Sequence, residues 1–165
     1  MTTLDKISQI LNQALMWVAG VFLVAMVVLT CANVFLRVVW MPVRGTFEIM
    51  GFLGAIVTAF ALGYTQIKRG HIAVDILIKK FSKKAQRIAN SLSCFICMVF
   101  FSMAAWHIAK WASTLRESGE VTETLQIVYY PFTYGVAIGC AILALVFFID
   151  FLKFFIGQEE ENGWI

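Results

Sequence analysis

Few residues of this chain carry reactive side chains, and their spacing restricts the chemistry open to them. Cys94 and Cys97 have the C-x-x-C spacing of a redox pair or of half a zinc site. No second such pair follows, and the two histidines, His71 and His107, lie in separate segments. Glycine-rich phosphate loops, H-E-x-x-H and G-x-S-x-G are absent from the sequence. We predict that the chain is not an enzyme and holds no metal or cofactor, with a redox protein as a less favoured alternative.

The composition excludes an ordinary soluble domain. Hydrophobic residues make up 61% of the 165 residues and charged residues 14%, with a mean hydropathy of +0.83. Soluble domains are about 45–50% apolar and about 25% charged. The net charge of +3 is too small to indicate a nucleic-acid surface, so we expect no nucleic-acid partner. The composition is that of an integral membrane protein.

Four stretches lack Asp, Glu, Lys and Arg and are long enough to cross a bilayer, which takes roughly 20 helical residues. They cover residues 7–36, 49–67, 88–109 and 124–149. Lipid cannot satisfy backbone polar groups, so spans of this length must be helices. We predict an all-α integral membrane protein, one membrane domain over residues 1–165, with transmembrane helices near 13–37, 46–67, 88–112 and 130–154.

Basic residues predict the orientation, because Lys and Arg in short loops stay on the cytoplasmic side. Seven of the thirteen lie between the second and third spans. With Lys6 and Lys153 that side has nine, against four on the other side. Both termini are therefore predicted to be cytoplasmic. The four residues of the outer side are Arg37, Arg44, Lys110 and Arg116.

The segment 72–84 reads IAVDILIKKFSKK and is amphipathic at helical spacing. It is too short to span and rich in lysine, which is typical of a helix lying in the membrane interface. We predict an in-plane helix here whose basic cluster binds anionic phospholipids, although the same charges would also serve as a topology signal alone. The cluster consists of Lys79, Lys80, Lys83, Lys84 and Arg87.

Small residues recur at intervals of four on two spans, and such faces let helix backbones approach closely in lipid. We interpret them as candidate interfaces, equally within the chain or with another membrane subunit. Four helices cannot cover two such faces and also enclose much of a cavity, which favours a compact or planar scaffold. The residues are Gly51, Ala55, Ala59 and Gly63 on the second span and Gly135 and Gly139 on the fourth.

Arg37 and Glu48 border the first two spans on the predicted outer side, with Pro42 between them. An ion pair between them would reduce the desolvation cost of both groups and hold the hairpin or a partner helix. We favour this structural pairing over a transported-ion site, because neither residue lies at the predicted midplane. The same side carries an acidic loop with Glu117, Glu120 and Glu123.

Several residues form a series with a characteristic order and spacing: Asn33 and Arg37 in the run NVFLR, then Pro42, then Glu48, then Gly70, His71 and Asp75 in the run GHIAVD. This series resembles the small membrane subunit of tripartite ATP-independent periplasmic (TRAP) transporters, the DctQ-type family. The resemblance covers most of the chain, from the first span through the amphipathic segment.

The resemblance implies a multi-pass protein of the bacterial inner membrane that acts as a fixed brace beside a separately encoded large permease subunit. In such systems a soluble periplasmic protein captures an organic acid, often a carboxylate such as a dicarboxylate or sialic acid. The large subunit then carries it inward with sodium ions by an elevator motion. Sodium and substrate sites are therefore expected on the partner, and Arg37, Glu48 and the acidic loop are candidates for seating the binding protein or the large subunit.

A different class of function stays open. A stand-alone homo-oligomeric transporter or channel would need polar residues at mid-depth along an oligomer axis. The sequence offers only Thr30, Asn33 and Thr58 for that purpose.

Overall fold

A computed structural model describes the backbone of residues 2–67 and 83–156, and the side chains of residues 8–66 and 88–152. The described chain is all-helical apart from one isolated bridge between Val121 and Val128. All four helices are long and apolar enough to cross a membrane, which confirms the predicted all-α membrane fold. They are α1 (Thr2–Val39), α2 (Thr46–Ile67), α3 (Lys83–Ser118) and α4 (Tyr130–Ile156).

Two helices extend well beyond the predicted spans. α1 begins at Thr2 rather than near residue 13, and α3 continues to Ser118 rather than ending near residue 112. Hydropathy marks only the part of a helix that suits lipid, whereas the helix itself continues where packing supports it. In α3, Ala112 and Leu115 are buried, which gives the extra turns a packed face.

The predicted in-plane helix at 72–84 lies outside the described residues except at its end. Lys83 and Lys84 belong to the first turn of α3. The orientation of the termini relative to a membrane stays a prediction.

The helices lie in a row in the order α1, α2, α4, α3. α4 packs against both α2 and α3, α1 packs against α2 and makes a smaller contact with α4, and no extensive packing joins the outer helices α1 and α3 in the described residues. α4 is therefore the centre of the core, with Leu143 only 1% exposed. Its other buried apolar residues are Ala137, Cys140, Ala144, Val146, Phe147 and Ile149.

α2 and α4 approach each other at a crossing made by Ala59 and Gly139. A Cβ built on Gly139 would lie 2.9 Å from the Ala59 Cβ and 2.9 Å from the Ala59 carbonyl oxygen. One turn away, a Cβ built on Gly135 would lie 3.6 Å from the Ile56 side chain, which is an ordinary van der Waals contact. Glycine is required at 139 because any side chain there would meet the backbone of α2.

α1 contacts α2 through a narrow polar and small-residue face. Asn12 is fully buried, and its Nδ2 donates to the Ser8 carbonyl oxygen at 2.9 Å. Its Oδ1 lies against Gly63, in the space that a Cβ on Gly63 would occupy. Ser8 and Ala19 are also buried, whereas most of the other side chains of α1 are exposed on this chain. Gly63 therefore makes room for the Asn12 amide.

α3 packs against α4 through aromatic rings. Phe101 and Phe147 are stacked with their centroids 5.9 Å apart, and Phe95 and Phe151 are 5.6 Å apart and tilted. Offset ring pairs of this kind contribute about 0.5–1.5 kcal/mol beyond the area that they bury. These contacts hold the outer helix α3 on the central helix.

The α2–α4 crossing predicts the effect of adding a single methyl group. We expect Gly139→Ala to lower the free energy of unfolding by about 1–3 kcal/mol, because the methyl group overlaps the Ala59 backbone. Gly51→Ala is the matched control: nothing lies within 4 Å of its Cβ, and alanine favours the helix. Denaturation of the detergent-solubilised protein with SDS, followed by circular dichroism, measures both. Equal effects of the two substitutions would contradict the close crossing.

The Asn12–Gly63 contact predicts coupling between these two positions. Gly63→Ala places a methyl group on the Asn12 amide, so it should destabilise the wild type more than it destabilises an Asn12→Ala variant. A double-mutant cycle in the same denaturation assay should give a coupling of about 1–2 kcal/mol. Additive effects would show that Asn12 does not fill the space above Gly63.

Candidate functional site

Most of the described landmark residues lie on one side of the bundle, which we call the loop side. It holds the α1–α2 connection, residues 40–45, and the α3–α4 loop, residues 119–129. The hydrogen bonds that join these two segments to α1 and α2 form what we call the loop-side network. Its members are Asn33, Val43, Thr46, Glu48, Thr122, Thr124 and Leu125.

The α1–α2 connection is held by side chains at both of its ends. Asn33 Oδ1, in α1, accepts a hydrogen bond from the Val43 amide at 2.9 Å. The buried Thr46 donates from its hydroxyl to the Val43 carbonyl oxygen at 2.8 Å. Gly45 has φ +72°, a left-handed conformation that favours glycine, and it turns the chain into α2. Asn33 and Thr46 thus fix the direction in which α2 leaves α1.

The α3–α4 loop is folded on itself. Gly119, at φ +66°, ends α3 with its amide on the Leu115 carbonyl oxygen at 3.1 Å. The Thr122 amide donates to the Ile127 carbonyl oxygen at 2.9 Å, and the Ile127 amide donates to Thr122 Oγ1 at 3.1 Å. Thr122 is 2% exposed. The loop that carries the acidic residues therefore has a defined shape.

Glu48 joins this loop to α2. Its two carboxylate oxygens accept hydrogen bonds from successive backbone amides, Thr124 at 2.8 Å and Leu125 at 3.1 Å. The Leu125 side chain packs on Gly45, where a Cβ would overlap it. Hydrogen bonds from backbone amides to a carboxylate are charge-assisted and stronger than neutral ones. Glu48 thereby connects the start of α2 to the loop that precedes α4.

Aromatic packing supports the same junction. Phe52, one turn after Glu48, stacks on Phe132 with centroids 4.3 Å apart. It also meets Tyr129 edge to face at 5.4 Å. The loop, α2 and the start of α4 are thus packed together at this junction.

The predicted ion pair between Arg37 and Glu48 is not present. Glu48 lies at the third position of α2, and each of its carboxylate oxygens accepts a hydrogen bond from a loop amide, Thr124 or Leu125. Arg37 is exposed near the end of α1 and makes no ion pair with any residue that the structure describes. Pro42 is exposed in the connection, directly before Val43.

The small-residue candidates divide into two groups. Ala59, Gly63, Gly135 and Gly139 are used within the chain, at the α1–α2 and α2–α4 contacts. Gly51 and Ala55, on the half of α2 nearest the loop side, are exposed on this chain. Among these six residues, Gly51 and Ala55 are therefore the ones available for contact with another subunit.

Several candidates lie outside the described residues. Nothing is described for Gly70, His71, Asp75, Lys79 and Lys80. Lys83, Lys84 and Arg87 are described by their helical backbone alone.

The acidic residues of the loop side are described. Glu117, Glu120 and Glu123 are all exposed, near or within the ordered loop.

The three polar side chains considered for a stand-alone channel each make a hydrogen bond within the chain. Thr30 and Thr58 donate to the carbonyl oxygens four residues earlier, Met26 at 2.7 Å and Gly54 at 2.8 Å. Asn33 is engaged in the α1–α2 connection. The cysteines form no disulfide, and the described part of the chain contains no group of three His, Cys, Asp or Glu side chains placed to hold a metal ion.

The opposite side of the bundle has its own polar link. Gln66 Nε2 donates to Asp150 Oδ2 at 3.4 Å, between α2 and α4. Both ends of the α2–α4 pair are therefore tied by polar groups.

Sequence reasoning missed the residues whose role depends on a distant partner. Asn12 fell outside the predicted first span, and only its apolar surroundings in α1 marked it as an unusual position. The contact between Gly45 and Leu125 has no sequence signature, because it depends on the packing of the α3–α4 loop against the α1–α2 connection. Thr122 reads as one polar loop residue among several.

These features define an all-helical protein whose four described helices are long and apolar enough to span a membrane and pack in the order α1, α2, α4, α3. Residues 26–156 match the family of tripartite ATP-independent periplasmic transporters, DctQ component. The match covers most of the chain, and the chain belongs to this family. The DctQ component is a transporter component rather than an enzyme, and membership implies association with the M and P components of a TRAP system. Searches of curated proteins and of solved structures each returned no match.

The Glu48 contacts predict local protection of the loop. In Glu48→Ala the Thr124 and Leu125 amides lose their acceptor, so their hydrogen exchange should become about tenfold faster. Glu117→Ala removes an exposed carboxylate nearby and should leave both amides unchanged. Exchange measured by mass spectrometry on peptides that cover residues 119–129 tests this, and equal protection in the two variants would contradict the role of Glu48.

Proposed function

We propose that this chain is the stationary bracing subunit of a TRAP transporter, supporting a separate large permease that performs the transport. The proposal is carried by the order in which the helices pack, α1, α2, α4, α3, with no extensive packing between the outer helices α1 and α3 in the described residues. Such an open row does not close around a central pathway and leaves helix faces available to a neighbouring subunit. Such a layer is suited to serve as a wall.

The continuity of the helices supports the same role. Coupled carriers use broken helices whose exposed ends and carbonyl groups bind ions and substrate at mid-depth. Within the described ranges, α1 to α4 run unbroken through their apolar parts. We therefore assign the sodium ions and the organic acid, a carboxylate such as a dicarboxylate or sialic acid, to the large subunit, with delivery by the periplasmic binding protein.

The surface offers places for the expected neighbours. The exposed small residues Gly51 and Ala55, next to Thr58, would admit a helix of the large subunit at close range. The basic cluster between α2 and α3 would hold anionic phospholipid on the cytoplasmic side. Both termini would then be cytoplasmic, in the inner membrane, with the loop side facing the periplasm.

Transport assays with defined components test the bracing role. Proteoliposomes that contain this chain alone should accumulate no organic acid under a sodium gradient. Vesicles with the large subunit, the binding protein and this chain should accumulate it, and omission of this chain should reduce uptake. Uptake by this chain alone, or its purification as a symmetric homo-oligomer without a companion, would favour the stand-alone transporter. A bound chromophore would favour the redox protein.

The acidic loop is a candidate docking point for the binding protein. Charge complementarity mainly sets the rate and orientation of docking, and salt screens it. Reversal of Glu117, Glu120 and Glu123 to Lys should slow uptake at low salt and have less effect at high salt, when uptake is measured against binding-protein concentration. Glu48 stays unchanged in this variant, so the loop keeps its anchor. Unchanged uptake at both salt concentrations would remove the loop from this role.

A further inference from the structure

The tip of the α1–α2 hairpin combines exposed apolar side chains with two arginines that form no ion pair with the side chains described, those of residues 8–66 and 88–152. We call it the hairpin tip and define it as Arg37 to Arg44 together with Phe47. Trp40 is 85% exposed and Phe47 is 87% exposed. The other exposed apolar residues are Val38, Val39 and Met41.

The two arginines are brought to the same end of the hairpin by the loop-side network. Arg37 lies one helical turn after Asn33, on the same face of α1. Arg44 directly follows Val43, whose amide is bound by Asn33. Both arginines are exposed, and neither forms an ion pair within the described residues.

Glu48, the acidic residue nearest to them in the sequence, makes its hydrogen bonds to the Thr124 and Leu125 amides and forms no ion pair with either arginine. Within the described residues, the hairpin tip therefore presents two positive charges without an ion-pair partner beside a large apolar surface. A guanidinium group pairs well with phosphate through two parallel hydrogen bonds.

The position of the hairpin tip at the ends of two apolar helices indicates that the phosphate belongs to a phospholipid headgroup. The apolar part of α1 ends at Val39 and that of α2 begins at Thr46, so the tip lies where the hydrocarbon gives way to headgroups. Trp side chains prefer this level, and arginines there extend to the headgroups. A water-soluble protein would match the charges but would leave the exposed Val38, Trp40 and Phe47 in contact with a polar surface.

We infer that the hairpin tip binds the phosphate of an anionic phospholipid in the loop-side leaflet, with Arg37 and Arg44 on the phosphate and Trp40 and Phe47 along the acyl chains. This site is separate from the lysine cluster proposed for the other leaflet, and it does not depend on the bracing role. Its function is to set the depth of the hairpin in the membrane.

Fluorescence quenching at Trp40 tests the site directly. The full chain is placed in nanodiscs of phosphatidylcholine, to which either brominated phosphatidylglycerol or brominated phosphatidylcholine is added. The difference between the wild type and Trp40→Phe isolates the Trp40 signal from the other four tryptophans. We expect the brominated phosphatidylglycerol to quench Trp40 at lower concentration than brominated phosphatidylcholine does.

Substitution of the arginines should remove this preference. Each of Arg37→Gln and Arg44→Gln should lower the ratio of the two lipid affinities about fivefold. A double lysine variant, R37K/R44K, keeps the charges and should retain most of the preference. Arg116→Gln is the matched control, because it removes one positive charge from the loop side next to Glu117 in the sequence and should have no effect at Trp40.

Three results would overturn the site. The first is equal quenching of Trp40 by the two brominated lipids in the wild type, which needs no variant to fold. The second is an equal loss of preference in Arg116→Gln, which would show only general surface charge. The third is an unchanged lipid preference in R37Q/R44Q accompanied by loss of the large subunit on purification, which would assign the arginines to a protein contact.

Discussion

The close approach of α2 and α4 at Ala59 and Gly139 is the contact on which the rest of the structure depends. Lipid is as apolar as a leucine side chain, so helices in a membrane gain little from hiding apolar surface from each other. They associate where backbones come near enough for dense van der Waals contact, and residue 139 permits this because it has no Cβ. Once α2 is fixed to α4, α1 can pack on α2 and α3 on α4, which yields a row rather than a closed bundle.

The loop-side network gives this row a rigid end. Asn33 sets the entry into α2, and Glu48 fastens the α3–α4 loop to the same helix. Gln66 and Asp150 link α2 and α4 at the other end. A layer tied at both ends resists sliding of one helix along another, which is the property required of a wall beside a moving transport subunit. Two polar family landmarks, Asn33 and Glu48, thus have structural tasks in the part of the chain that the structure describes.

Features that depend on local composition were predicted from the sequence, whereas contacts between residues far apart in the sequence were not. Uncharged stretches of about 20 residues located all four helices, because the cost of charges in hydrocarbon dominates locally. The partner of Glu48 was predicted wrongly: opposite charge pointed to Arg37, whereas the carboxylate accepts hydrogen bonds from two amides of the α3–α4 loop. The contact of Asn12 with Gly63 depends on how α1 packs on α2, which no local sequence pattern specifies. The same holds for α2, where Ala59 and Gly63 contact other helices of the chain while Gly51 and Ala55 are exposed.

The central claim is that the helix row keeps its shape while the transporter works. Spin labels on Val28→Cys in α1 and Ser102→Cys in α3, both at exposed positions on the outer helices, report the width of the row in a variant without the four native cysteines. Double electron–electron resonance on the assembled complex should give the same distance distribution with and without substrate and sodium. A shifted or divided distribution on addition of substrate would show that the row itself moves, and would contradict the bracing role.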